Sequence, residues 1–184
     1  MENEKRTCLY DKHVALGAQM SPFGGFVMPI QYKGIVEEHN AVRHGCGVFD
    51  VSHMGEVSVT GADAEKFVNH IFTNDVTDAP VGKCFYGMML NPAGGVVDDL
   101  LVYKRDDDDF FLVINASNID KDVAWIRSCA EGYDVMVDNM SDCLGELAVQ
   151  GPLSEEVMTG VLGLDCAELT FYTFKTLDIS GESV

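Results

Sequence analysis

Two periods of hydrophobic spacing divide this chain. Between residues 55 and 138 they are clearest. Val96 to Tyr103 is an apolar, β-branched run interrupted by Asp98 and Asp99, and it reads as a strand. Strand side chains alternate, so Val96, Asp98, Leu100 and Val102 share one face, and Val97, Asp99, Leu101 and Tyr103 share the other. At most one of the two aspartates can look into a given pocket. Asn91-Pro-Ala-Gly-Gly95 before it has turn chemistry, and Lys83 to Leu90 reads as the strand that pairs with it in a hairpin. Phe110 to Ile114 is a further strand, with Asp106 to Asp109 at the hairpin tip. Glu56 to Thr60 alternates as a strand. Ala62 to Phe72 carries Phe67 and Ile71, and Val68 and Phe72, at helical spacing. Thr73 to Gly82 is a loop. Ser117 or Asn118 can cap a helix that runs to about Ala130, with Ile119, Val123, Ile126 and Ala130 on one stripe. Tyr133 to Val137 follows as a strand.

Outside this block the pattern is less regular. The spacing predicts a helix from Thr7 to Leu16, a turn and short extended segment from Phe23 to Tyr32, and a helix from Ile35 to His44. That last helix has Glu37 and Glu38 early and Arg43 and His44 late, the order its dipole favours. Val48 onward is a short strand running into Ser52-His53-Met54-Gly55. Cys143 to Val149 reads as a strand, Gln150-Gly-Pro152 opens a helix, and Phe171 to Ile179 reads as a last strand. Strand, helix, three strands, helix, strand between 55 and 138 means consecutive hairpins. The fold class is therefore α+β, with antiparallel sheets flanked by helices.

Charge and composition narrow the chemistry. The 184 residues hold 30 acidic and 12 basic side chains, a net charge of −18 that argues against nucleic acid or an anionic membrane surface as partner. No run of apolar residues is long enough for a membrane span, and the polar start Met1-Glu-Asn-Glu-Lys-Arg6 has no signal core behind it, so a cytoplasmic protein is expected. Six scattered cysteines show no C-x-x-C pair and no histidine at metal-ligand spacing, which predicts free thiols and no metal site. His53 reads as a core residue rather than a ligand. The four-aspartate run lacks the glycine and terminal glutamate of a calcium loop and reads as a solvated tip. No phosphate-binding glycine loop and no G-x-S-x-G is present. Asp98 and Asp99 keep two readings: a solvated strand mouth with Asp98 capping the turn, or a functional carboxylate.

Several motifs in order carry a resemblance. Phe49-Asp-Val-Ser-His-Met-Gly55, Phe72-Thr-Asn-Asp75, Asn91 to Tyr103, Asn115-Ala-Ser-Asn118, Asp120-Lys-Asp-Val-Ala-Trp125, Gln150-Gly-Pro152 and Tyr172-Thr-Phe174 span nearly the whole chain. Together they resemble the N-terminal half of the T proteins of glycine cleavage, the tetrahydrofolate-dependent aminomethyltransferases. The resemblance implies transfer of a methylene from the aminomethyl-lipoyl arm of the H protein to tetrahydrofolate, with release of ammonia. It implies the family's cloverleaf of folate-binding domains: residues 1–54 with 139–184 as an outer, incomplete domain, 55–138 as an inserted one, and a third domain absent. On this reading the chain is truncated and inactive alone.

The resemblance also assigns roles. Asp99 matches the aspartate given the catalytic role, beside the folate nitrogen that acts as nucleophile. Met54, Tyr86, Tyr103 and Asn115 match positions lining the folate site, and Tyr172 an aromatic nearby. Taken as residues alone, Tyr86 and Tyr103 are ordinary sheet residues and Met54 a gap filler. Two alternatives stand beside the transferase: a noncatalytic folate-binding protein assisting iron–sulfur assembly, and the folate domain of a dimethylglycine or sarcosine oxidising enzyme.

Overall fold

The computed structural model describes residues 4–179 and 181–183. In chain order the elements are α1 (Tyr10–Ala15), β1 (Gln19–Phe23), β2 (Phe26–Gln31), α2 (Ile35–His44), β3 (Gly47–Asp50), β4 (Gly55–Thr60) and α3 (Ala64–Ile71). There follow β5 (Cys84–Leu90), β6 (Val96–Asp106), β7 (Asp109–Ile114), a 3-10 turn (Ala116–Asn118) and α4 (Ile119–Cys129). Then come β8 (Met136–Asn139), β9 (Leu147–Gln150), α5 (Ser154–Gly160), β10 (Asp178–Ile179) and β11 (Glu182–Ser183). The chain divides into two compact units. One is 1–54 with 143–168, and the other is 55–142 with the stretch from 169 onward.

The second unit is a five-stranded antiparallel sheet in the order β5-β6-β7-β4-β8. Its inner face presents Val57, Val59, Leu100, Val102, Phe110 and Leu112. Against these lie Phe67, Val68 and Ile71 of α3, and Ile119, Val123 and Ile126 of α4, the stripes that helical spacing marks out. Gly55 lets this layer close. A Cβ there would stand 2.6 Å from Ile119 Cγ1 and 2.7 Å from Ile114 Cγ1. Lys104 is also on the inner face, 1% exposed, and its ammonium meets Glu65 at 2.7 Å and Asp107 at 3.1 Å. These partners hold its pKa above the ordinary lysine value even though burial alone would lower it.

In the first unit β1 and β2 form a hairpin and β3 pairs antiparallel with β9. Among the described residues, its one buried large apolar side chain is Met28. Polar contacts tie it together instead. Asp50 accepts from Thr7 at 2.6 Å and pairs with His13 Nε2 at 2.8 Å, while His13 Nδ1 lies 2.7 Å from the Tyr32 hydroxyl. Those hydrogen bonds hold the Asp50 carboxyl below its usual range against the opposing effect of burial. At the start of α2 the Glu38 carboxylate accepts the backbone N–H groups of Tyr32, Lys33 and Gly34. His53 is buried edge-on to Phe23 and Phe26, and that burial lowers its pKa.

Several sequence expectations shift. Gln19–Phe23 is a strand that the pattern hides, because Pro22 and two glycines mask its alternation. β8 begins three residues later than expected. Phe171 to Ile179 is not one strand. It has turns at Phe171 and Tyr172, a single bridge from Thr173 to Lys83, and strand geometry at Asp178–Ile179. Tyr172 has φ 58°, a conformation no strand residue adopts. At the acidic tip the strands run through Asp106 and from Asp109, so Asp107 and Asp108 alone form the turn, and Arg105 pairs with Asp109 at 2.6 Å.

Glu65→Ala should lower the unfolding free energy by about 1–3 kcal/mol, because it strips a buried ammonium of its closest partner. Lys104→Met, which removes the charge as well, should stay within about 1 kcal/mol of wild type. Chemical denaturation of the two variants checks this. A larger loss for Lys104→Met than for Glu65→Ala contradicts it.

Candidate functional site

The two aspartates part at β6. From Asp98 onward the strand alternates regularly: Asp98, Leu100, Val102 and Lys104 are buried, while Asp99, Leu101 and Tyr103 face the other way. A bulge precedes them. Met89 pairs with Asp98 but Leu90 pairs with Val96, leaving Val97 unmatched. The bulge breaks the face shared by Val96 and Asp98, and Val96 is exposed. The turn before it caps itself. Asn91 Oδ1 accepts the N–H groups of Ala93 and Gly95, and Gly94 takes φ 80°. Asp98 therefore has no part in capping the turn.

On the open face of the sheet Asp99 Oδ2 accepts the Tyr86 hydroxyl at 2.8 Å. Asn115, just past β7, sends its amide nitrogen to the Asp99 carbonyl at 3.0 Å and to Asp99 Oδ1 at 3.2 Å. The hydrogen bond and charge of Asp99 raise the Tyr86 pKa above its ordinary value, so this phenol stays a donor. Tyr103 shares the face with Asp99 and packs edge-on to Phe174 at 5.3 Å. The 170–174 segment is fastened beside β5: Cys84 N–H donates to the Tyr172 carbonyl and Phe174 N–H to that of Gly82. Tyr172 is near enough to contribute to the raised Tyr86 pKa. Tyr86, Asp99, Tyr103, Asn115 and Tyr172 thus belong to one unit and one region of it. Met54 closes the first unit, half-buried, with its N–H donating to the Val51 carbonyl. A concavity of about 610 Å³ lies in the first unit among Pro29, Ile35, Val42 and Phe49, and none of the six expected site residues lines it.

On the helix side of the sheet lie two carboxyl groups, Asp98 and Asp122, and of these the sequence pattern singles out Asp98 alone. Asp98, 6% exposed, accepts the Asn115 backbone N–H at 3.1 Å and the side-chain amides of Asn115 and Asn118 at 3.0 Å each. Asn118 stands at the N-cap of α4 as expected, but its side chain serves Asp98 and makes no cap hydrogen bond. Asp122 of α4 is fully buried beside Asp98, with Lys121 Nζ 3.2 Å from its Oδ1, and neither of its carboxyl oxygens receives a hydrogen bond from the described residues, so a proton on Asp122 is what lets it meet Asp98. Burial and the neighbouring carboxyl push Asp122 up to about 7. The amide donors and the Asp122 hydrogen bond hold Asp98 low although burial opposes them. Two carboxyls in contact and out of water share one proton. A signal for this existed. Asp122 falls at i+3 between Ile119 and Val123, on the apolar stripe of its own helix.

Fold and site define an α+β domain that displays a carboxylate, phenols and an amide on one open sheet face. The family model of the GCVT N-terminal domain matches residues 9–184, and the chain belongs to that family. Three curated aminomethyltransferases are similar to it. That of Desulfitobacterium hafniense (strain DSM 10664 / DCB-2) is 45% identical over 181 residues, 98% of this chain and 50% of the relative. That of Moorella thermoacetica is 46% identical over 181 residues, again 98% and 50%. That of Thermotoga neapolitana is 46% identical over 180 residues, with the same shares. The crystal structure of glycine cleavage system aminomethyltransferase T from Bartonella henselae matches with a TM-score of 0.85 and 32% identity, over 93% of this chain and 47% of that one. The chain spans about half the length of the curated relatives it matches.

Asp122 fixes the sign of a pH effect. Its folded pKa is about 7 and its unfolded value about 3.9, so between those limits the native state holds a proton that the unfolded chain releases. Stability from this group therefore falls as pH rises through that window. Asp98, shifted the other way, acts only at the acid end. Asp122→Asn removes the effect. From about pH 5 to about pH 8 wild type should lose on the order of ~2 kcal/mol relative to the variant in denaturant unfolding. A difference that stays flat or reverses would show that the pair is not proton-sharing.

Proposed function

We propose that this chain supplies folate-binding and catalytic residues of a tetrahydrofolate-dependent aminomethyltransferase of glycine cleavage. Its substrate would be the aminomethyl group on the lipoyl arm of the H protein, whose methylene passes to tetrahydrofolate while ammonia leaves. One observation carries the reading: the Tyr86–Asp99–Asn115 cluster on the open sheet face, in a chain 45% identical to an aminomethyltransferase. In this reaction a folate nitrogen attacks the methylene carbon and gains positive charge. A carboxylate fixed by two donors stabilises that charge without having to reorient. Asp99 is that carboxylate. Tyr86 and Asn115 hold it, and Tyr103 and Tyr172 contribute to folate binding.

Three relatives bearing the aminomethyltransferase name favour this reading over an iron–sulfur assembly protein or the folate domain of an amine-oxidising enzyme. The H protein is the protein partner in this reading, and with a net charge of −18 the chain calls for basic groups on whatever docks to it. A cytoplasmic location goes with it. The six cysteines are all unbridged, which suits a reducing compartment.

The test is a chimaera in which this chain replaces the matching half of the Thermotoga neapolitana relative, assayed with lipoylated H protein. Folate-dependent transfer is expected. Asp99→Asn should lower turnover on the order of ~10²-fold while folate dissociation changes less, because the charge develops only in the transition state. A folded chimaera without folate-dependent transfer would sink the reading, and an unimpaired Asp99→Asn would sink the role of Asp99.

A further inference from the structure

We propose that Asp122 is a positioning residue for Asp99, acting from the helix side of the sheet through Asp98 and the carboxamide of Asn115. The inference rests on the reading of Asp99 as the carboxylate of the reaction. It adds a group that never meets substrate yet governs how that carboxylate is held.

Donors are in short supply around Asn115. The Asn115 side chain has two N–H bonds, and its nitrogen lies within hydrogen-bonding distance of three oxygens: Asp98 Oδ1 at 3.0 Å, the Asp99 carbonyl at 3.0 Å and Asp99 Oδ1 at 3.2 Å. Asp98 and Asp99 therefore compete for one amide across the thickness of a strand. How strongly Asp98 competes depends on the group behind it. A protonated Asp122 donates to Asp98 and spreads its charge, leaving Asn115 free to serve Asp99. An ionised Asp122 donates nothing and adds a second negative charge, so Asp98 must draw more on Asn115 and Asn118.

Among the described residues, the charged groups acting on Asp122 are Asp98 and Lys121. Asp98 approaches from β6. Lys121 lies beside it on α4, but its ammonium also donates to the Val97 carbonyl at the bulge. With Asp122 fully buried and next to a second carboxyl, its proton is exchanged near neutrality, at about pH 7. The hold on Asp99 would then loosen as pH rises through that point.

Carboxyl 13C NMR of the 184-residue chain, with aspartate labelled, reads this directly. In wild type the Asp122 resonance should titrate at about pH 7, and the Asp99 resonance and the Asn115 side-chain amide should step at the same midpoint. In Asp122→Asn, which keeps a donor beside Asp98, those steps should vanish. A wild-type Asp99 resonance that is flat while Asp122 titrates overturns the proposal without reference to any variant. A step at Asp99 that survives Asp122→Asn overturns it too. No folate enters this measurement, so a folded chimaera without folate-dependent transfer, beside a chain that shows the coupled steps, would refute the assigned function and leave the coupling standing. In the chimaera Asp122→Asn should flatten the pH dependence of kcat near pH 7 and leave KM for folate within about twofold. A purely structural role would lower stability and leave that profile unchanged.

Discussion

The alternation of β6 puts one carboxylate into the apolar layer and its neighbour on the opposite face, and the site is arranged around that separation. A buried carboxylate is tolerated only when its oxygens are fully served. For Asp98 the service comes from the Asn115 backbone and side chain, from Asn118, and from the proton shared with Asp122. Those donors stand at the end of β7, in the 3-10 turn and on α4. Satisfying one buried charge therefore pins the exit of β7 and the entry of α4 to the start of β6. The same amide that completes Asp98 reaches Asp99, so an interior requirement fixes the geometry of an exposed group.

The two units are stabilised by different means. In the second, two amphipathic helices cover one sheet face, and a lysine within that layer is paired on both sides. Its other face is left to Tyr86, Asp99 and Tyr103. Hydrophobic burial holds the scaffold rigid, and that rigidity keeps a surface carboxylate at hydrogen-bond precision. In the first unit the buried Asp50 joins α1, β2 and β3 through His13, Thr7 and Tyr32, a directional network in place of a broad apolar layer. Apolar groups there, such as Val36 at 75% exposed and Val48 at 61%, stay open.

Local pattern was a reliable guide wherever one face of an element is buried. The stripes of α3 and α4, the alternation of β6 and the glycine turn at Asn91–Gly95 all follow from spacing, because burial selects residues at a fixed period. The guide weakened in two kinds of place. Pro22 and the paired glycines blurred β1, and Phe171–Ile179, apolar enough for a strand, became a strap whose Tyr172 adopts a left-handed backbone. Its shape comes from docking against Gly82 to Cys84, far away in sequence.

The sequence by itself determined the α+β class, the hairpin order of the second unit, and the fact that Asp98 and Asp99 must look in opposite directions. Each of these depends on the covalent chain and the period of its hydrogen-bonded elements. It could not decide which aspartate faces inward, that Asn118 would leave its helix cap for Asp98, or that Asp122 would meet Asp98 and keep a proton near neutrality. Those outcomes depend on which sheet face α3 and α4 cover and on the low polarity they create there. Desolvation is a property of the packed interior, and no stretch of sequence carries it until distant elements have closed over the site.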